Sequence, residues 1–249
     1  MKRIKINILI VFSLLFTVLN SGCKKDSMCN CLKKTGDEIT ETRNLAPFHS
    51  LEMKNNVDVI IVNDTFFSAK ITCGKNLIDG IKTEVIDQQL IISNINKCNW
   101  LRDFENKFVI EVTVPVLEQV VTRGSGNLYC KDTIRGERLL AESWNGTGEL
   151  NFLLNYKSAE FKIHTGPADM LAAGKLVDCY VYNAGNGFFK GFETYPDYCL
   201  VISKSTGDCE VRAIQKLSVE IEYNGNIYYK GNPAQIEEAI SGKGQLIAK

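Results

Sequence analysis

The chain has few of the side chains on which catalytic sites and nucleic-acid surfaces usually depend. Only two of its 249 residues are histidine, and 29 basic residues are balanced by 29 acidic ones. A Ser-His-Asp or Cys-His arrangement would need His49 or His164, and neither lies in a recognisable nucleophile motif. Surfaces that bind nucleic acid carry an excess of positive charge. The composition therefore predicts no nucleic-acid partner and does not favour histidine-based catalysis.

Motifs that hold a cofactor or a metal ion are also missing. The segment 124–126 lacks the third glycine and the following helix of a phosphate-binding loop. Cys29 and Cys31 form a pair, but no second pair follows at the spacing of a zinc site. The calcium-binding nonapeptide repeat, with its double glycine and aspartate, does not occur. We therefore expect neither a cofactor nor a metal site.

Carboxylates are the remaining class of candidate catalytic group. A glycosidase or lyase would need a pair of them, and spacing along the chain cannot identify such a pair. The candidates are Glu149, Asp169, Asp178, Asp208 and Glu210, which would lie on the outer face of strands in the second half of the chain. Acidic side chains are expected on any solvated strand face. A β-helix carbohydrate-active enzyme is therefore a minor alternative.

The first 22 residues have the layout of a lipoprotein signal peptide. A basic start is followed by a mostly apolar stretch, 6–19, which is too short to span a membrane. The segment 19–23 resembles a bacterial lipobox, which implies that Cys23 is lipidated, with palmitate, as the first mature residue. Lys24 follows where an inner-membrane retention aspartate would lie, which favours the outer membrane without deciding the face. An ordinary cleaved signal or a single-pass anchor is the alternative.

Removal of the signal leaves a chain of the length expected for one β-solenoid or β-sandwich. Residues 23–44 are polar and lack a sustained period, so that they are predicted to form a tether. Residues 45–249 are predicted to form a single domain. It has strands over 48–122 and, over 123–249, repeats of a short glycine-containing motif that is described below. The sequence leaves the oligomeric state open.

Eight cysteines follow Cys23, and an even number in an exported chain is typical of disulfide bonding. Cys73 and Cys98 each follow an apolar strand, which favours a bridge between neighbouring strands. Cys179 and Cys199 lie one repeat apart and could link successive coils. Connectivity remains open.

A short motif recurs seven times in the second half of the chain. It consists of a small residue, a glycine, a polar or turn residue and then an alternating strand. The motif glycines are Gly126, Gly148, Gly166, Gly185, Gly207, Gly225 and, more loosely, Gly242. A period near 20 residues is typical of a stacked β architecture, because each unit buries its apolar face against its neighbours. Glycine is expected at each corner because it adopts a positive φ at little cost.

The strands that follow these glycines alternate with period two. The second and fourth residues after each glycine are mostly apolar and are predicted to face inward; they include Cys130 and Cys209, which we expect to be buried free thiols. The first and third residues are predicted to face water. Helix is limited to two short candidates, 75–80 and 235–239. The pattern predicts an all-β fold, a right-handed β-helix or solenoid, with an antiparallel sandwich or meander as the alternative.

Several segments carry a family resemblance. They are the run 112–117 leading to 124–127, the glycine corners, the ending 228–233 followed by 240–244, and the early segment 47–51. Together they resemble the head GIN domain family of putative auto-transporter adhesins over about residues 45–249. The resemblance implies a β-rich, solenoid-like exported domain of bacterial cell envelopes, and it brings no catalytic residues.

Aromatic residues provide the strongest indication of a ligand surface. Tyr129, Phe188 and Tyr228 share an outward position, three residues after their glycines, and Phe192 and Tyr195 lie in a segment, 190–197, that is predicted to be a loop. Exposed aromatic rings on a rigid sheet stack on sugars or anchor a protein partner. Cross-strand packing of residues with high β propensity is the alternative explanation.

The sequence therefore predicts a non-enzymatic lipoprotein of the cell envelope, held at the membrane by its lipid, that binds a glycan or a protein and acts as an adhesin. A structural periplasmic lipoprotein, whose repeats serve only for assembly, is the alternative.

Overall fold

The computed structural model describes residues 34–97 and 108–249, and nearly all regular structure in them is β-strand. The strands are β1 (Glu38–Asn44), β2 (Ser50–Asn55), β3 (Asp58–Asn63), β4 (Ser68–Gly74), β5 (Ile81–Ile86), β6 (Gln89–Asn94), β7 (Val109–Val114), β8 (Gln119–Gly124), β9 (Leu128–Cys130), β10 (Ile134–Trp144), β11 (Glu149–Thr165), β12 (Asp169–Lys175), β13 (Asp178–Asn183), β14 (Phe189–Thr194), β15 (Tyr198–Ser203), β16 (Cys209–Arg212), β17 (Lys216–Ile221), β18 (Ile227–Lys230), β19 (Gln235–Ile240) and β20 (Leu246–Ala248). One turn of 3-10 helix, Ile78–Gly80, lies within the predicted helical segment 75–80. No helix among the described residues is long and apolar enough to cross a membrane.

The strands form two long runs of mainly parallel neighbours. The first sheet has the order β5-β6-β2-β8-β10-β11-β13-β15-β17-β19. The second sheet has the order β1-β4-β7-β3-β9-β11-β12-β14-β16-β18-β20. The long β11 belongs to both, because its first half pairs with β12 and its second half with β13. The result is a β-solenoid of about six turns, which confirms the predicted solenoid.

The coils do not follow strict chain order at the amino-terminal end. The coil of β2 and β3 lies between the coil of β6 and β7 and the coil of β8 and β9. Three antiparallel strands, β1, β4 and β5, complete this end of the two sheets. Strand β1 lies in the segment predicted to be tether, so residues 38–44 are part of the folded domain.

The alternating pattern places one column of side chains inside the solenoid. The predicted inward positions Leu150, Phe152 and Val211 are fully buried, or nearly so. The rings of Phe152 and Phe161 lie 5.8 Å apart between centroids, and those of Phe161 and Phe189 lie 5.0 Å apart, so aromatic packing continues from coil to coil. The core thus runs through the length of the solenoid as a single cluster.

The motif glycines are explained by space rather than by backbone conformation. Among the seven, only Gly166 has a positive φ, 88°. A Cβ atom at Gly126 would meet the carbonyl oxygen of Val57 at 1.7 Å, and one at Gly148 would meet that of Gly126 at 2.0 Å. The positive-φ explanation is therefore wrong for most corners. Successive coils approach so closely at these turns that a side chain does not fit.

Two local predictions fail. The segment 235–239, a helix candidate, forms β19, because it pairs along its whole length with β17. The predicted loop 190–197 is mostly strand, since β14 covers Phe189–Thr194 and only the last three residues connect it to β15. The hairpin turn at Asp87 and Gln88 has positive φ at both residues, 49° and 61°, as a type I′ turn requires.

Candidate functional site

A polar residue near the start of several coils has a structural role, and in three of them it directly follows a motif glycine. Its side-chain oxygen accepts a hydrogen bond from a backbone N–H of the next coil. The acceptor and donor pairs, at 2.7 to 3.0 Å, are Asp58–Asn127, Asn127–Glu149, Asp169–Phe188, Asp208–Asn226 and Asn226–Gln245. Amides at the start of each coil would otherwise lack a partner, and an unpaired amide is costly away from water. Asp169 and Asp208, two of the candidate catalytic carboxylates, thus support the coil stacking.

One histidine lies in a stack on the outer face of the first sheet. His164 Nε2 is 2.9 Å from Glu142 Oε1, and the imidazole stacks on Trp144 with 3.7 Å between ring centroids. The Tyr182 ring lies 5.7 Å from the imidazole and is tilted to it by 50°, and the Arg123 guanidinium lies 5.7 Å from the Trp144 ring on the other side. Ring packing and a carboxylate hold His164 in place. Within residues 34–97 and 108–249, no three His, Cys, Asp or Glu side chains are grouped as a metal site.

The structure brings one predicted cysteine pair together. Cys179 and Cys199 are opposite each other in the register of β13 and β15, and both are buried free thiols. A hydrogen bond with Cys179, together with burial, raises the pKa of Cys199 well above its usual range. Cys73 is also a buried free thiol, whereas Cys98, like the lipidation candidate Cys23, lies outside the described residues. The two disulfides stay predictions.

The two other thiols in the apolar phase are also free. Cys209 is fully buried, as predicted, and burial raises its pKa to about 12. Cys130 is half-buried rather than buried as predicted, and desolvation raises its pKa to about 11. Neither thiol is poised for chemistry, because reactivity requires the thiolate.

The predicted aromatic residues lie on the outer face of the second sheet, but they do not form one group. Tyr129 is 40% exposed on β9, five strands away from β18, which places it about 24 Å from Tyr228 at the usual strand spacing. Phe188, immediately before β14, and Tyr195, immediately after it, are 44% and 48% exposed, and Phe192 is half-buried between them on β14. The two exposed rings therefore lie at opposite ends of the strand, about 20 Å apart along it. The candidate surface is therefore confined to the carboxyl-terminal coils.

Four cations lie against aromatic rings in these coils. One of them, Lys190, has its Nζ 6.0 Å from the centroid of the Phe188 ring and is also paired with Asp169. The Arg212 guanidinium is 4.7 Å from the centroid of the Tyr195 ring, and Arg212 Nε donates a 2.8 Å hydrogen bond to the carbonyl oxygen of Phe192. Lys230 Nζ is 4.4 Å from the Phe192 ring. Lys249 Nζ is 4.6 Å from the ring of Tyr228. We name the set formed by Phe188, Phe192, Tyr195, Arg212, Tyr228, Lys230 and Lys249 the cation–aromatic surface.

The sequence analysis did not identify the cations of this surface, although their positions in the alternating pattern indicate that they face outward. Arg212 and Lys230 each fall in the outward phase of a strand that follows a motif glycine, as the predicted residue Tyr228 does. What the sequence does not reveal is which outward positions meet, because coils differ in length and β14 carries an irregularity in its register with β12.

The first sheet carries a separate groove of about 350 Å³. Tyr198 and Leu200, 51% and 37% exposed, lie in it together with Tyr180. Its charged residues are largely paired: Glu160 lies 2.6 Å from Lys162 and also contacts Arg138, and these contacts lower the pKa of Glu160 against the opposing effect of burial. Sequence reasoning missed this groove, although its outward residues alternate with Cys179 and Cys199.

Comparison with known proteins gives a family and a set of structures with the same fold. The family model described as putative auto-transporter adhesin, head GIN domain, matches residues 47–233. A comparison with curated proteins gives no match.

Several solved structures resemble this solenoid. A putative adhesin from Bacteroides fragilis has a TM-score of 0.79 at 18% identity, with 86% of this chain and 97% of that chain covered. A putative adhesin from Parabacteroides distasonis has a TM-score of 0.66 at 18% identity, covering 86% and 98%. A putative lipid binding protein from the same species has a TM-score of 0.63 at 20% identity, covering 86% and 97%. At these identities the likeness concerns the fold alone.

Proposed function

The chain belongs to the head GIN domain family of putative auto-transporter adhesins, and on this premise we propose that it is a non-enzymatic binding module of the cell envelope that recognises glycans through the cation–aromatic surface. The observation that carries the proposal is the exposure of Phe188 and Tyr195 at nearly half of their surface on a rigid parallel sheet. A pyranose ring stacks on such a face and removes apolar area from water. Covering roughly 80 Å² of ring contributes about 2 kcal/mol.

The rigidity of the surface supports binding. The backbone at both rings is bonded to the preceding coil, because the N–H of Phe188 donates to Asp169 Oδ1 and the N–H of Tyr195 donates to the carbonyl oxygen of Gly174. Little conformational entropy is lost when a ligand docks on groups that are already ordered. An exposed aromatic ring on a mobile loop would lose more.

The proposal includes the location of the module. Lipidation at Cys23 would tether it to the outer membrane, and the 14 residues 24–37 that precede β1 would reach at most about 50 Å when extended. Protease treatment of intact cells decides the face: digestion indicates surface exposure, whereas protection indicates the periplasm and favours the structural alternative.

A paired set of variants tests glycan binding. The mature chain, produced from residue 24, is applied to a glycan array as the wild type and as Phe188→Ser/Tyr195→Ser. We expect the double variant to lose at least tenfold in affinity for the bound glycans, with an unchanged circular dichroism spectrum.

The matched control is Tyr198→Ser/Leu200→Ser, which removes two comparably exposed apolar side chains from the first sheet. It should keep wild-type affinity. Loss of binding in the control alone would move the site to the first-sheet groove, and an array without any bound glycan would refute the proposal.

A further inference from the structure

Three cations are stacked on consecutive coils of the cation–aromatic surface. Arg212 and Lys230 are opposite each other in the register of β16 and β18. Lys249 follows Lys230 on the next coil, where its backbone N–H bonds to the carbonyl oxygen of Tyr229. Neighbouring strands are about 4.8 Å apart, and like charges at directly opposed positions destabilise a sheet. The column therefore has a cost to folding.

The chain does not neutralise this column. Among the residues that the structure describes, none of the three cations forms an ion pair with a carboxylate, whereas three other lysines of these coils do. Lys190 pairs with Asp169 at 3.2 Å, Lys204 with Glu222 at 2.8 Å and Lys216 with Glu237 at 2.8 Å.

The acidic residues that lie nearest to the column along its strands do not form ion pairs with it either. Glu210 lies two residues before Arg212 on β16, in the row of Lys190, and Glu193 lies at the end of β14. Neither is in ion-pair contact with a cation of the column in the described part of the chain. The column is therefore unpaired although acidic residues lie on β14 and β16.

The aromatic rings beside the cations leave their positive charge available to bind an anion. Lys230 and Lys249 each lie 4.4 to 4.6 Å from a ring centroid, which fixes the ammonium group in place without neutralising its charge. Arg212 uses Nε on a backbone carbonyl, which leaves the terminal guanidinium nitrogens for a ligand. Guanidinium groups bind carboxylate, sulfate and phosphate in a bidentate manner.

From these contacts we infer that the ligand of the cation–aromatic surface is an anionic glycan, whose sugar rings lie on Phe188 and Tyr195 and whose carboxylate or sulfate groups are bound by Arg212, Lys230 and Lys249. The inference rests on the proposed function and names the ligand class for that same surface.

The test uses an array of acidic glycans, each printed beside its neutral counterpart, either carboxyl-reduced or desulfated. We expect wild-type protein to bind acidic members at least tenfold more tightly than their neutral counterparts, with an affinity that falls as the salt concentration rises. Arg212→Gln/Lys230→Gln should remove this preference. The control Lys204→Gln/Lys216→Gln removes the same charge from paired lysines of other faces and should keep it within twofold.

Each remaining outcome is decisive. Equal binding of acidic and neutral members overturns the anionic class and leaves the proposed glycan function intact, whereas no binding to either removes both.

Vesicles of phosphatidylcholine with and without phosphatidylglycerol are measured in parallel. Binding that is confined to the anionic vesicles and that is lost in Arg212→Gln/Lys230→Gln would assign the column to a lipid surface and overturn the inference. Melting temperatures and circular dichroism spectra confirm that all variants are folded.

Discussion

Gly207 lies where two successive coils come closest, and a Cβ atom there would meet the carbonyl oxygen of Gly187 at 1.9 Å. The same close contact recurs at the other glycines of one column of the solenoid, which also contains two residues with a Cβ atom, Val57 and Ala168. The column consists of Val57, Gly126, Gly148, Ala168, Gly187, Gly207, Gly225 and Gly244. Because the obstacle is backbone rather than the end of a flexible side chain, an added methyl group can be accommodated only when the coils move apart.

We therefore predict that Gly207→Ala is destabilising through overpacking. The expected loss is about 2 to 3 kcal/mol in the free energy of unfolding, measured by urea denaturation. Thr206→Ala is the control, since Thr206 is exposed in the same turn and its replacement should change stability by less than about 0.5 kcal/mol. A Gly207→Ala protein as stable as the wild type would contradict the close-approach explanation.

Single residues could be predicted from the sequence where their spacing repeats. The inward phase of Leu150 and Phe152 follows from alternation alone. The hydrogen bonds of Asp169 and Asp208 do not, because an outward carboxylate beside a turn is equally consistent with a solvated or a catalytic group. Which amide lies within 2.9 Å of it depends on how the coils stack.

Among the elements, β19 is the most exposed strand of the solenoid. All six of its residues are exposed, since it pairs with β17 on one side only. Ile236, Glu238 and Ile240 continue the inward column of β17, so that the charge of Glu238 lies at the end of the apolar interior. An inward-pointing charge is a known means of preventing edge strands from pairing with another chain.

Replacement of this charge should permit end-to-end association. We predict that Glu238→Val self-associates at concentrations at which the wild type does not change its sedimentation coefficient, because the variant presents a continuous apolar end and an unpaired strand. Glu237→Val is the control: its side chain faces outward, against Lys216, and its loss leaves the interior end charged. Equal sedimentation of Glu238→Val and wild type would refute this role of Glu238.

The elements also show where local sequence signals fail. The segment 235–239 contains residues that favour helix, yet six consecutive pairings with β17 override that preference. The segment 190–197 was predicted to be a loop. The chain instead continues as β14 with a register irregularity, and this irregularity brings Phe192 beside Arg212. Neither result could be read from the segment alone, because each depends on a neighbouring coil.

For the whole molecule, the repeat period was sufficient to predict the solenoid, because every coil must bury the same face against the next. The binding surface was predictable only in part. Its aromatic residues have the correct phase, but Arg212, Lys230 and Lys249 come together across coils of unequal length. Tyr129 has the same outward phase and lies far from them. The position of a residue in the alternating pattern specifies whether its side chain faces outward, and the stacking order of the coils specifies which outward side chains meet.

The central claim is that the second sheet carries the ligand surface, and protection of lysines from acetylation tests it most directly. The protein is treated with an acetylating reagent with and without the glycan that binds best on the array, and modification of each lysine is measured by mass spectrometry. We predict that the glycan protects Lys230 and Lys249 at least fivefold and leaves Lys204 and Lys216 unchanged. Protection of Lys216 beside the first-sheet groove, with Lys230 and Lys249 as reactive as in the free protein, would contradict the account.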